Sequence, residues 1–379
     1  MKIVIAPDSF KGSLSAIQAA ESIKRGINNV SPDLETVLVP CADGGEGTME
    51  TIVKASGGEI QNITVTGPLG EPVRSGYGLL GDKKTCVIEM ATAAGLDLVD
   101  PEQLNPLSST TYGVGELIKA ALDDGYRNFI VTLGGSATND GGAGMLQALG
   151  ASLLNKDGKE IAPGGEGLKY IYRLEMSKFD KRIKECNFTV ASDVQNPFVG
   201  PEGASHVFGP QKGATPTMVR KLDENMTKWA DVIAQETNFR IHDMPGAGAA
   251  GGMGGALLAF FQAEIQQGIE VIVKAVNLEQ ALVGAEMVIT GEGQVDFQTA
   301  FGKTPMGVAR VAQKQGIPTV VIAGSVGNWV DNLYEHGIHA VHSMVSGPMT
   351  LNEAMDNAEK LIERSAEQIV RTVLTLLKA

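Results

Sequence analysis

The sequence predicts an α/β protein of two domains, and three observations carry that prediction. Strand-like and helix-like runs alternate over the first 60 residues and again beyond Leu278, the pattern of a parallel sheet. Between these stretches, from about Ile60, strand-like runs follow one another without a helical pattern, as in an antiparallel meander. The chain has 379 residues, enough for two domains at roughly 150 residues each. The expected arrangement is a Rossmann-like parallel-sheet domain built from both chain ends, residues 1–62 and 280–379. A mixed α/β domain, residues 63–279, is inserted in it. A cleft between two such domains is a common ligand site.

Ile3-Val4-Ile5-Ala6 is a short apolar run, suited to a strand covered on both faces. Ser15 with Gln18 fits a capping box, and Ile17, Ala20, Ile23 and Ile27 recur at helical spacing. Thr36-Val37-Leu38-Val39 reads as a second strand and Thr48 to Ala55 as a second helix. The meander comprises Ile63 to Thr66, Val73 to Leu80 and Thr85 to Met90, separated by Gly, Pro and Asp turns. A helix over Ser108 to Leu122 stops at Gly125. A strand at Phe129 to Leu133 then leads through a glycine-rich turn. Thr215-Pro216 opens a long helix whose Val219, Leu222, Met226, Trp229 and Ile233 share one face. Toward the C-terminus, Met287 to Thr290, Thr319 to Ala323 and Ala340 to Val345 read as strands, and Thr304 to Gln315 as a helix. One last helix is expected from Leu351 to Leu377. Its inner side carries Ala354, Ala358, Leu361, Ser365, Ile369, Val373 and Leu376.

Apolar residues make up 43% of the chain and charged residues 20%, so it can bury a core rather than stay disordered. Lys and Arg number 31 against 44 Asp and Glu, a formal charge of −13. Phosphate backbones and anionic lipid repel such a chain, which sets aside nucleic-acid and membrane partners. Cys41, Cys86 and Cys186 show no C-x-x-C spacing, as in a reducing compartment. The N-terminal apolar run is shorter than the ~7–15 residues of a secretory signal. The longest uncharged apolar stretch, Gly246 to Phe261, falls short of the ~18 residues of a membrane span. A cytoplasmic location is expected.

Four acidic residues stand just past strand-like runs: Asp8, Asp43, Asp193 and Asp296. Ligands of open α/β sheets bind beyond the carboxyl ends of strands, although a strand-end Asp is also an ordinary turn residue. Three glycine-rich segments adjoin these acids or resemble their surroundings. They are Asp43-Gly44-Gly45-Glu46-Gly47-Thr48, Gly134 to Gly142, and Gly291-Glu292-Gly293-Gln294-Val295-Asp296. Gly246 to Gly255 is a fourth. Bare backbone before a helix can aim N–H groups at an anion, and tight turns are the plainer reading of each loop alone. Lys11 stands next to Asp8-Ser9, Lys212 within Gly209-Pro210-Gln211-Lys212-Gly213, and Lys303 in Gly302-Lys303-Thr304. Carboxylates, glycine loops and placed lysines are the parts that phosphoryl transfer needs.

Other chemistries find less support. Gly302-Lys303-Thr304 resembles the end of a Walker A loop, but Phe297 stands where its first Gly belongs. Gly246-Ala247-Gly248-Ala249-Ala250-Gly251 matches G-x-G-x-x-G literally, yet it follows Met244-Pro245 rather than a clear strand. Glu270, nearby, begins a strand-like run instead of ending one. A dinucleotide-dependent oxidoreductase of small hydroxy acids, or a non-catalytic small-acid sensor, are the alternatives. His336, His339 and His342 make no metal motif, and G-x-S-x-G is absent.

Taken together, the strings Met1 to Lys11, Ala42 to Thr48, Gly134 to Gly142, Asn196-Pro197, Val207 to Ala214, Gly246 to Gly254 and Ile289 to Gly293 resemble the bacterial glycerate kinase family. The resemblance runs through essentially the whole chain in order. It implies an ATP- and Mg²⁺-dependent kinase that phosphorylates D-glycerate, at the 2-hydroxyl, to 2-phosphoglycerate in glyoxylate, glycolate or sugar-acid breakdown. A kinase of this kind needs an acceptor for the hydroxyl proton, expected at Asp193 or Asp296, with Lys11 in the catalytic set. Asp8, Ser9, Gly44, Gly45, Gly134, Gly135, Ser136, Asn139, Lys212, Gly291, Glu292 and Lys303 would bind substrate or phosphate. Asp43 and Asp140 would lie near Mg²⁺. Two departures stand out: Ser192 where relatives often carry Cys, and Gln294 where many carry Arg.

Overall fold

A computed structural model describes residues 1–296, Thr299, 302–328 and 330–378. In chain order the strands begin with β1 (Lys2–Ile5), β2 (Glu35–Leu38), β3 (Glu59–Thr66), β4 (Pro72–Leu79), β5 (Thr85–Glu89) and β6 (Asn128–Thr132). They continue with β7 (Ser152–Leu154), β8 (Arg173–Glu175), β9 (Asn187–Ala191), β10 (Glu264–Gln266), β11 (Met287–Val295), β12 (Thr319–Val326) and β13 (Ile338–Ser343). The fold class is α/β, in two compact units. One consists of Met1–Asp43, Glu50–Gly57 and Gln267–Ala379, the other of Gly44–Met49 and Gly58–Gln266. Residues 59–62 thus go with the second unit, because β3 pairs with β4 along its whole length.

In the first unit the sheet order is β13-β12-β11-β1-β2, with neighbouring strands parallel. Val320 and Ile322 pack on one face with Ile3, Ile5, Ile23 and Ile362. Val321 and Ala323 pack on the other with Met306 and Ala309. Burial on both faces is why these strands read as unbroken apolar runs. The capping box forms: Gln18 N donates to Ser15 Oγ at 3.2 Å and Ser15 N to Gln18 Oε1 at 2.9 Å, opening the helix Ala16–Val30. Chain order departs in opposite directions from the β1–β11 pair, so the carboxyl ends of those two strands flank the topological switch point.

Three sequence expectations need correction in this unit. Gly291 to Asp296 is not a loop beyond a strand, since β11 runs on to Val295 and pairs with β12 as far as Val326. Glu270 opens no strand but lies in the first turn of the helix Gly268–Ala275; an apolar run this short carries no decisive period. The last helix is two, Leu351–Asp356 and Ala358–Lys378. At the break, the Asn357 side chain donates to Glu353 O at 2.8 Å, a local bond that competes with helix continuation.

The second unit holds a sheet of order β10-β9-β6-β5-β4-β3. Strands β3, β4 and β5 form the expected antiparallel meander, while β5, β6, β9 and β10 run parallel. Phe129 stacks on Phe188 at 4.6 Å, and Phe261 meets Phe188 edge-on at 4.9 Å, joining β6 and β9 to the helix Met253–Phe261. The helix expected from Ser108 starts later, as Tyr112–Asp123, because Ser109 instead bonds back to Asn105 O. The long helix Pro216–Thr237 buries Val219, Leu222, Met226, Trp229 and Ile233 as its period predicts.

Candidate active site

The acidic and glycine-rich segments gather at the carboxyl ends of parallel strands, one set in each unit. In the first unit, Asp8 follows β1 and its backbone N–H continues the ladder to Gly291 O at 2.8 Å. The Asp8 carboxylate accepts from Ser9 N at 2.6 Å and from the Thr304 hydroxyl at 2.5 Å. Thr304 opens the helix Thr304–Lys314. Burial, and the negative charges of Asp43 and Glu292, raise the Asp8 pKa to about 7.

Glu292 lies inside β11, where it is buried. It accepts from the Thr299 hydroxyl at 2.7 Å, and Lys303 Nζ lies 3.6 Å from its other oxygen. Burial lifts its pKa to about 7 against the pull of Lys303 and Thr299, and the charge of Asp43 adds to the rise. Thr299 Oγ1 also accepts from Asp296 N at 3.2 Å, tying Asp296 to Glu292. The Asp296 side chain is half-buried and accepts from Gln294 Nε2 at 3.1 Å. Lys11 is exposed, in the turn closed by Phe10 and Leu14. Gly293 packs against that turn, its pro-Cβ position 3.5 Å from Lys11 N. Asp8, Ser9, Lys11, Asp43, Gly291, Glu292, Asp296 and Lys303 therefore belong to one edge of one unit.

In the second unit, β5, β6 and β9 end at Glu89, Thr132 and Ala191. The Gly44-Gly45 backbone lies across these ends: a Cβ on Gly44 would sit 3.1 Å from Ala191 O, and one on Gly134 would sit 2.8 Å from Gly45 Cα. Only glycine permits that approach at Gly134, and Gly44 (φ +92°) and Gly135 (φ +76°) are left-handed. Asp193 is exposed just past β9, beside Ser192, whose N–H donates to Gln266 O at 3.1 Å.

Four expected site residues of this unit act from inside. Lys212 is buried and donates to the Ser136 hydroxyl at 2.7 Å and to Thr138 O at 2.6 Å. Burial lowers its pKa to about 7, with Asp140 opposing the shift. Ser136 is buried in turn, and Asn139 donates to Ser205 Oγ at 3.0 Å. Asp140 was expected near a metal. Instead its oxygens accept from Thr111 N, Thr111 Oγ1, Gly142 N and Gly144 N at 2.8–3.2 Å. Through these four bonds it shapes the loop Gly134 to Gly142.

The literal G-x-G-x-x-G is consumed by packing. A Cβ on Gly251 would lie 2.0 Å from Thr138 O, and one on Gly248 would lie 2.2 Å from Pro197 O. The element before Gly246 is the helix Pro216–Thr237 and not a strand, so the segment lacks the strand–turn–helix frame of a dinucleotide site. Two residues of the edges escaped the sequence reading. Glu89 ends β5, but the sequence reading ran that strand on to Met90, which placed Glu89 inside it. Thr304 stood out only as part of the Walker-like string, and nothing local showed its bond to Asp8, which spans 296 residues.

No group of three metal-ligating side chains forms among the described residues. A Mg²⁺ ion commonly takes only one or two carboxylates and completes its shell with phosphate oxygens and water. Asp8, Asp43 and Glu292, whose charges oppose one another, fit that donor set. Among the described residues no helix is long and apolar enough to cross a membrane.

Comparison with known proteins gives one consistent result. The model of the glycerate kinase family matches residues 3–374. A protein of Bacillus subtilis (strain 168) named glycerate kinase is 49% identical over 373 residues, covering 98% of both chains. A protein of Escherichia coli (strain K12) named glycerate 2-kinase is also 49% identical over 373 residues, again 98% of both chains. A crystal structure from Salmonella typhimurium LT2, of a protein provisionally named glycerate kinase 2, superposes with a TM-score of 0.90 at 47% identity over 100% of both chains. The chain belongs to the glycerate kinase family.

Proposed function

We propose that this protein transfers the γ-phosphoryl group of ATP to the 2-hydroxyl of D-glycerate, giving 2-phosphoglycerate, in the cytoplasm. The observation that carries this reading is the whole-length likeness to the Escherichia coli protein named glycerate 2-kinase. The chemistry of the two edges supports it. Asp193 and Asp296 stand at strand ends, one exposed and one half-buried, where a carboxylate can take a hydroxyl proton. The Asp8-Ser9 turn with Lys11, Lys303 beside Glu292, and the Gly44-Gly45 and Gly134-Gly135 backbones offer donors for anionic oxygens. Lys212, through Ser136 and Thr138, keeps the second of those loops in shape.

One or two of the carboxylates Asp8, Asp43 and Glu292 would hold Mg²⁺, which when bound offsets charge on the transferring phosphoryl group. The same three carboxylates would then be relieved of their mutual repulsion. The test is an ADP-release assay with Mg-ATP and a panel of small hydroxy acids, followed by NMR of the product. Release of ADP with D-glycerate, and phosphorus coupled to the C2 proton, is the expected outcome. Glycerate binding without ADP release would make the protein a sensor, and turnover of a nicotinamide cofactor would make it an oxidoreductase.

A further inference from the structure

We propose that Glu89 is a positioning residue for this reaction, holding the Gly44–Met49 segment in the shape that presents Gly44 and Gly45 to a substrate anion. The proposal rests on the reading above, in which those two glycines line an anion.

Glu89 is the last residue of β5, and its side chain is buried. One carboxylate oxygen accepts from Gly47 N and the other from Met49 N, each at 2.8 Å. Met49 is the second residue of the helix Thr48–Ser56, so Glu89 at the end of β5 pairs with one N–H of that helix's first turn and with the Gly47 N–H just before it. The first free N–H groups of a helix attract anions, and here a side chain of the protein already meets one of them.

The rest of the segment is fixed around that anchor. Thr48 Oγ1 donates to Gly45 O at 2.6 Å. Gly47 (φ +78°) and Gly44 (φ +92°) place the backbone in left-handed turns on either side of Gly45. Gly134 and Ala191 close on Gly44-Gly45 from the ends of β6 and β9. In the sheet, β5, β6 and β9 are adjacent, so three neighbouring strand ends grip six residues. Glu89 supplies the charged part of that grip, and a charge-assisted bond is about twice as strong as a neutral one.

Glu89→Gln keeps the shape but must turn an NH₂ group toward one of the two N–H donors. In kinetics with Mg-ATP and D-glycerate, the KM of the substrate whose anion meets Gly44-Gly45 should rise about tenfold, with the other within twofold of wild type. Partial unfolding cannot imitate this, because it lowers kcat through the active fraction and leaves both KM values alone. Thr48→Val, nearly isosteric, releases Gly45 O without touching β5 and should shift the same KM by a smaller factor. Unchanged KM values in folded Glu89→Gln would overturn the proposal. If that variant does not fold, unchanged KM values in Thr48→Val would overturn it. Failure of the wild-type protein to release ADP would instead count against the kinase reading itself.

Discussion

The Thr304 hydroxyl donates to the Asp8 carboxylate at 2.5 Å, linking the start of the helix Thr304–Lys314 to the turn after the central strand β1. With the Ser9 N–H, the bond stabilises a carboxylate that burial, Asp43 and Glu292 oppose, all three raising its pKa. Asp8 is thus held in place at a cost in stability, as expected where function sets the residue.

Replacing Asp8 should expose that cost. Its pKa rises from an unfolded 3.8 to about 7 in the fold, so the folded state holds the proton more tightly. Its stabilising contribution is complete below about 3.8 and is lost as pH climbs through 7. Asp8→Asn should therefore raise the thermal midpoint of the ligand-free protein at pH 8, with a smaller gain at pH 5. It should also lower kcat by about 10² or more. Scanning calorimetry at the two pH values checks the first outcome, and a midpoint below wild type at pH 8 would contradict it.

Lys212 predicts the opposite slope. Its pKa falls from 10.5 unfolded to about 7 in the fold, so between these values the unfolded chain binds the extra proton. The Lys212 contribution accordingly favours the fold more as pH rises from about 7 toward 10.5. Urea midpoints of wild type compared with Lys212→Met across pH 7 to 9.5 should show this slope only in the wild type. The variant should also lose activity, since Ser136 and Thr138 lose their shared donor.

Asp140→Asn separates a loop anchor from a metal ligand. An amide cannot accept all four bonds that Asp140 takes, and leaving donors buried and unpaired costs about 3 kcal/mol. Equilibrium unfolding should register that loss, while the Mg²⁺ concentration for half-maximal rate stays at its wild-type value. A large shift in that concentration with stability intact would return Asp140 to the metal.

Asp193→Asn and Asp296→Asn test the proton acceptor. A general base contributes ~10²–10⁴-fold, so each substitution should lower kcat by at least ~10² with little change in melting temperature. Wild-type turnover in both variants would remove this role from the pair.

Much of the architecture could be read before any coordinates, because local order writes it into neighbouring residues. The Ser15–Gln18 box, the apolar face from Val219 to Ile233 and the run Ile3-Val4-Ile5 each need only a few consecutive positions. The reading weakened where period is lost, as at Glu270 and at the helix break of Asn357. It also weakened where glycine was taken as a sign of loop: Gly291 and Gly293 lie within β11.

By itself, the sequence determined that strands and helices alternate at both ends, that acids and bare backbone stand at strand ends, and which family the strings resemble. The tertiary structure alone decided what each of those groups does. Glu89 reaches Met49 across 40 residues and Thr304 reaches Asp8 across 296. Desolvation turns Lys212 and Asp140 from surface charges into internal braces. Hydrogen-bond partners and burial are properties of atoms brought together from distant positions, and spacing along a chain does not contain them.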